Sequence, residues 1–146
     1  MTIFIGADHR GFDLKNKLME YLQEKNIRIE DMGDYEYVAN DDYIDYAQKV
    51  AQAVLQKPSE YVGIVICGSG IGVAMAANRY HGIRCAQAFS PDQIRHGREN
   101  DHVNVLSLAA DYTDFETAKK IVETFLNTPP NLEEKYLRRV HKLDQT

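Results

Sequence analysis

Two short segments carry the residue types best equipped for chemistry: Gly6-Ala7-Asp8-His9-Arg10-Gly11 and Cys67-Gly68-Ser69-Gly70-Ile71-Gly72. In the second, a cysteine precedes alternating glycines at 68, 70 and 72. With no side chains in the way, backbone N–H groups at such a turn can face inward and cradle an oxyanion or phosphate, helped by the positive end of a following helix. The same dipoles favour the thiolate of a cysteine at that corner, the form that acts as base or nucleophile. The competing reading of Cys67 is a buried structural thiol. In the first segment Asp8 can hold hydroxyls and His9 can donate to a hydroxyl or phosphate. The plainer reading is an Asx-type cap beside an exposed imidazole.

Several familiar chemistries do not fit. The first segment lacks the G-x-G-x-x-G dinucleotide fingerprint, and the second lacks the Lys-Ser/Thr ending of a phosphate-binding P-loop. A thiol phosphatase needs an arginine soon after its cysteine, but Cys67 is followed by Gly-Ser-Gly-Ile-Gly-Val. Cys67 and Cys85 have neither the density of a disulfide scaffold nor the spacing of a zinc site, and Cys85 falls inside an expected strand as a structural residue. The net charge of −5 comes from 17 basic and 22 acidic residues that are interspersed, which disfavours nucleic acid yet leaves room for a small phosphate site. No window approaches the ~18 apolar residues of a membrane span. Met1 to Gly6 reads as a strand and not as a leader, so a cytoplasmic protein is expected.

These segments need a scaffold, and the pattern around them supplies one. A chain of 146 residues, 44% hydrophobic, suits a single domain that buries roughly two thirds of its unfolded surface. Short apolar runs alternate with amphipathic stretches, the signature of βαβ units on a parallel sheet. Strands are expected at Ile3 to Ile5, Arg28 to Asp31, Tyr61 to Cys67, Ile83 to Ala88 and Val103 to Leu108. Helices are expected after Gly11 through Lys25, across Tyr46 to Val54, at Val73 to Asn78, at Pro91 to Glu99 behind a Ser90 cap, and at Phe115 to Leu126. Pro129-Pro130 closes a core of residues 1–128, and a charged helix spans 131–143. Both chemical segments directly follow a strand, where open parallel sheets bind ligands.

Gly6-Ala-Asp-His-Arg-Gly-Phe12, Ile66-Cys-Gly-Ser-Gly-Ile-Gly72, Ala76-Ala-Asn-Arg-Tyr-His-Gly-Ile-Arg84 and Asn104-Val-Leu106 together resemble the type B ribose-5-phosphate isomerases and their galactose-6-phosphate isomerase relatives. The resemblance implies an aldose–ketose isomerase needing no cofactor and no metal. It also implies a Rossmann-like α/β fold, with a five-stranded parallel sheet between two layers of helices. The assembly it implies is a homodimer, or a tetramer built from it, whose active site lies at the interface and whose terminal helix packs on the partner subunit. By that likeness the Cys67 thiolate moves a proton between C1 and C2 through a cis-enediolate held by the amides of Gly68, Gly70, Ile71 and Gly72. Ser69 assists ring opening, Asp8 holds sugar hydroxyls, and Tyr43 stands near the sugar. Relatives without the cysteine use a glutamate just past the last loop glycine; here that position is Val73.

The match departs at two places. Where the family reads Arg-Glu-His-Asn-Asp-Ala-Asn-Val-Leu, this chain reads Arg98-Glu-Asn-Asp-His-Val-Asn-Val-Leu106. Asn100 thus stands at the position of a ring-opening histidine and remains a substrate-binding candidate, but an amide cannot shuttle protons near neutral pH. His102 is either the displaced acid–base group or an ordinary loop imidazole. After the fifth strand Ala109-Ala110-Asp111 replaces Gly-Ala-Arg, and an anion there repels phosphate if it points into the site. Lys135 and Arg139 fall where the family has two arginines four residues apart, and with His9 they form the remaining phosphate set; the plainer reading is a solvated helix face. Ribose 5-phosphate and ribulose 5-phosphate are the expected substrates. A hexose 6-phosphate, a rarer sugar, or a phosphosugar-binding protein without turnover are the alternatives.

Overall fold

The computed structural model describes residues 1–146. In chain order they form β1 (Thr2–Ala7), α1 (Phe12–Glu24), β2 (Ile29–Asp31), α2 (Tyr43–Gln56), β3 (Tyr61–Cys67), α3 (Ile71–Ala77), β4 (Cys85–Gln87), α4 (Pro91–Asn100), β5 (Val105–Ala109), α5 (Phe115–Asn127) and α6 (Glu134–Leu143). The five strands form one parallel sheet in the order β2-β1-β3-β5-β4. The α/β architecture expected from the alternating pattern is therefore present.

Side chains alternate across the sheet and sort into two cores. Ile3, Ile5, Ile64, Ile66, Leu106 and Leu108 pack against Leu14, Leu18 and Leu22 of α1, Ile94 of α4, and Ile121, Val122 and Phe125 of α5. On the other face Phe4, Val65, Cys67 and Val105 meet Val50, Ala51 and Val54 of α2 and Val73 and Ala77 of α3. Gly63 lets α2 approach β3 closely, since a Cβ there would stand 2.6 Å from Val50 Cγ1. Ser90 caps α4 by accepting the Gln93 N–H at 3.2 Å.

Several elements are shifted by one to three residues from the expected bounds, and two of the shifts have a clear physical cause. The fourth strand forms only over Cys85–Gln87, because it is an edge with a sheet neighbour on one side alone. On its open side the Asn78 amide donates to Cys85 O at 2.9 Å and accepts the Cys85 N–H at 2.8 Å, standing in for a strand at one residue. Helix α3 begins at Ile71 and not Val73, because Gly70, at φ +73°, turns the chain straight from loop to helix.

The chain leaves β1 for β2 on one side and leaves β3 for β4 on the other, so the carboxyl ends of β1 and β3 flank a topological switch point. Lys15 of α1, fully buried, fixes the long loop beside it, donating to both Asp31 oxygens at 2.7 Å and to Asp34 O at 2.6 Å. Helix α6 is held mainly at its ends: Asn131 N donates to Glu99 O at 2.9 Å, and Arg84 Nη1 meets Asp144 Oδ1 at 2.7 Å. None of its residues is buried. No helix is long and apolar enough to cross a membrane.

Candidate active site

Cys67 ends β3 at 5% exposure, on the α2/α3 face, and its Sγ accepts the Gly70 N–H at 3.2 Å. The Ile71 N–H donates to Ser69 Oγ at 3.2 Å, leaving the serine hydroxyl hydrogen free to donate elsewhere. The loop is pinned from the neighbouring strands: Gln87 Nε2 donates to Ser69 O, Ser107 Oγ to Gly70 O at 2.5 Å, and Ala110 N to Cys67 O at 2.9 Å. The Tyr43 ring lies against Gly72, where a Cβ would stand 2.7 Å from Tyr43 Cζ. Of the glycine-loop amides, Gly70 and Ile71 are thus turned onto the sulfur and the serine oxygen.

Across the switch point Asp8 is 4% exposed, and its Oδ1 accepts the N–H of Arg10 at 3.0 Å and of Gly11 at 3.1 Å. This is the Asx-type cap that the local sequence permits, and it leaves Oδ2 for a ligand. Burial pushes the Asp8 carboxyl above the usual carboxylate value, against the pull of the two backbone N–H bonds. His9 is oriented by Asp41, whose Oδ1 accepts the His9 backbone N–H at 2.9 Å and faces His9 Nδ1 at 2.7 Å. That contact places the proton on Nδ1 and turns Nε2 outward. Burial works to raise the Asp41 pKa, but the His9 backbone and ring N–H bonds outweigh it and hold the carboxylate below its ordinary value.

Asp8, His9 and Asp41 offer donor atoms that lie within 4.8 Å of one another. Asp8 Oδ1, Asp41 Oδ1 and His9 Nδ1 already serve the hydrogen bonds just described, whereas Asp41 Oδ2 is buried with no hydrogen-bond partner. Asp41 was missed in the sequence because its partner is 32 residues away. Its only signal was its place directly before the Asp42-Tyr43 pair.

Asp111 does not stand free. Arg10 Nε and Nη2 donate to Asp111 Oδ2 at 2.9 Å and 2.5 Å, so the expected uncompensated anion is half of an ion pair. Charge complementarity across 101 residues has no signature along the chain.

Four candidates are not brought to Cys67 within one chain. His102 precedes β5, shares a cavity with Met1, Pro58, Ser59 and Pro130 at the amino-terminal ends of β1 and β3, and meets Asn131 O at 2.8 Å through Nε2. At ~3.3 Å per residue the five residues of β5 alone put it roughly 15 Å from the cysteine end. Asn100, at the end of α4, lies on that side too, with Nδ2 at 3.1 Å from His96 Nδ1. Lys135 pairs with Glu133 at 3.4 Å, and Arg139 stacks over Tyr136. A cavity of about 550 Å³ opens beside β4, among Arg84, Cys85, His96 and Leu143, but none of Asp8, His9, Cys67 or Ser69 lines it. These four gather instead at the carboxyl ends of β1 and β3.

The fold and the residues gathered at this end of the sheet define a Rossmann-type α/β enzyme whose thiol, carboxylate and imidazole can move protons on a small polar substrate. Residues 3–143 match the family model described as Ribose/Galactose Isomerase, and the chain belongs to that family. A probable ribose-5-phosphate isomerase B of Mycoplasma genitalium is 38% identical over 143 residues, covering 97% of this chain and 93% of the relative. Ribose-5-phosphate isomerase B of Mycobacterium leprae is 31% identical, covering 96% and 86%. Among solved structures, a ribose 5-phosphate isomerase from Thermotoga maritima superposes with a TM-score of 0.93 at 41% identity, covering 99% of this chain and 98% of that one. The Mycoplasma genitalium ribose-5-phosphate isomerase B with bound ribulose-5-phosphate gives 0.93 at 36% identity, covering 99% and 94%.

Proposed function

We propose that this chain interconverts ribose 5-phosphate and ribulose 5-phosphate, with Cys67 as the base. The observation that carries this reading is the Cys67 sulfur itself, at the strand end facing the switch point, with the Gly70 N–H aimed at it at 3.2 Å. That N–H fixes the sulfur at the mouth of the glycine loop. The relative that holds ribulose-5-phosphate supports the choice of sugar.

The Cys67 thiolate removes the proton on C2 of the open-chain aldose, and the electron pair passes through C1–C2 onto O1, giving a cis-enediolate. Returning that proton to C1 while the O2 hydrogen moves to O1 leaves the ketose. Atoms and electrons balance without an external oxidant. Amides of the glycine loop, with Gly68 and Gly72 donating to no protein acceptor, stabilise the oxygen charge as it develops. Ser69 donates its hydroxyl hydrogen to the ring oxygen or water, Asp8 accepts from sugar hydroxyls through Oδ2, Tyr43 walls the sugar, and His9 Nε2 faces the phosphate end. A second copy of the chain completes the site. It brings Lys135, Arg139, Asn100 and His102, and it covers the exposed Ile71, Met75 and Phe89 near the loop as well as Leu137 and Leu143 of α6.

The test is solvent deuterium exchange with pure protein and ribose 5-phosphate. Label should enter the sugar at C1 and C2 and disappear in Cys67→Ala, with turnover lower by at least ~100-fold and melting within a few degrees of the parent. Exchange that survives in Cys67→Ala would reject the thiol as base, and exchange absent from the parent would reject the substrate.

A further inference from the structure

Five loops leave the carboxyl ends of the strands, at residues 8–11, 32–42, 68–70, 88–90 and 110–114, and Arg10 is the single Lys or Arg among them. The same loops hold seven Asp and Glu residues. So acidic a rim repels a phosphomonoester dianion, and within one chain Arg10 is the permanent cation placed to offset it, beside the Lys135 and Arg139 that a second copy would add.

Arg10 is fixed in place. Its Nε and Nη2 donate to one oxygen, Asp111 Oδ2, bridging the β1 and β5 loops, and the Asp111 amide is tied to Gly68 O at 3.0 Å. The pair lies directly over the cysteine loop: a Cβ at Gly68 would stand 2.6 Å from Arg10 Nε and 2.7 Å from Asp111 Oδ2. Two of the five guanidinium N–H groups are used and no other protein acceptor takes the rest, while the side chain is 57% exposed. One edge is therefore anchored and the other is open to a ligand. An ion pair this exposed contributes little to stability, so packing is a weak reason for its place at the mouth of the site. An oriented guanidinium edge, by contrast, matches two phosphate oxygens.

We infer that Arg10, aimed by Asp111 over Gly68, grips the phosphate group of the substrate and makes the site prefer phosphorylated over free sugars. Asp111 is then a positioning residue. It gives up part of the attraction and in return holds a flexible side chain in the docking orientation. The inference rests on the sugar-phosphate isomerase reading, but it can be tested apart from turnover.

The experiment compares the parent with Arg10→Ala, Arg10→Asp and the reversed pair Arg10→Asp/Asp111→Arg, with melting as the fold control. In the ribose 5-phosphate assay, Arg10→Ala should raise KM about tenfold while kcat changes less than about twofold, the split expected of a group that binds ground and transition states alike. Competitive inhibition by inorganic phosphate should weaken by the same factor. The reversed pair places the cation on the opposite loop at the same spot and should recover phosphate affinity to within about threefold, whereas Arg10→Asp alone should not. Unchanged phosphate inhibition in Arg10→Ala, or a reversed pair that melts normally without recovery, overturns the inference. If the parent does not isomerise ribose 5-phosphate, the proposed function fails. Calorimetric titration with inorganic phosphate still decides Arg10: weaker binding by Arg10→Ala upholds it, and equal or absent binding in both proteins rejects it.

Discussion

Lys15→Met isolates the buried ion pair that fixes the loop carrying Asp41 up to Tyr43. The methionine keeps most of the apolar stem but removes the ammonium and its contacts to Asp31 and to Asp34 O. Removing one partner of a buried pair costs about 3–5 kcal/mol. Lys15 is fully enclosed, whereas the Asp31 side chain is 24% exposed and recovers some hydration, which sets the cost near the lower bound, about 3 kcal/mol. For a domain of this size each kcal/mol lowers Tm by ~2–4 °C, so the melting point should fall by ~6–12 °C. Urea denaturation should show the midpoint moving without change in slope. In Lys15→Met/Asp31→Asn the stranded charge is removed while an acceptor for the Gly33 N–H remains, so most of the loss should return. A single variant melting within about 2 °C of the parent, or a double variant showing no recovery, would refute the reasoning.

Other substitutions test the remaining parts of the site. Asp8→Asn should raise Tm at pH 7 while lowering turnover. Because burial lifts the Asp8 pKa in the folded state, its ionised form opposes folding at neutral pH, and the gain over the parent should vanish as pH falls toward 4, near the unfolded value. A Tm difference constant from pH 4 to 7 would contradict this. Burial pushes the Cys85 thiol up to about 12, so mass spectrometry after iodoacetamide at pH 8 should find Cys85 unmodified in native protein and modified in denaturant. Gly11→Ala should destabilise by about 1–3 kcal/mol, since its Cβ would stand 2.8 Å from Ile66 O and 2.9 Å from Ile66 C, backbone atoms that cannot turn aside. An unchanged urea midpoint would show that α1 shifts off β3 at little cost.

Much of this arrangement was legible because it is local. Tyr61 to Cys67 is apolar nearly throughout and forms a strand buried between two helical layers. Ser90 sits where a capping side chain belongs. Both chemical segments stand directly after a strand, so the parallel sheet alone brings them to one end. The pairings that organise the site were hidden, because each joins positions far apart: His9 with Asp41, Arg10 with Asp111, Lys15 with Asp31. Helical periodicity marks which face is buried, but it cannot show that the residue buried on α1 is a lysine with a partner waiting on β2. Spacing likewise placed Asn100 and His102 in a motif without revealing which end of the sheet they occupy. The helix before them runs from the ligand end to the opposite one.

Asn78 bears on how copies of the chain can and cannot associate. By occupying both backbone groups of Cys85 on the open side of β4, its amide removes the template on which another molecule's strand could add. Association is thereby steered toward helix faces and away from continuous, fibre-forming sheets. In Asn78→Ala that edge is bare, and prolonged incubation of the concentrated protein should seed thioflavin-positive polymers that the parent does not form.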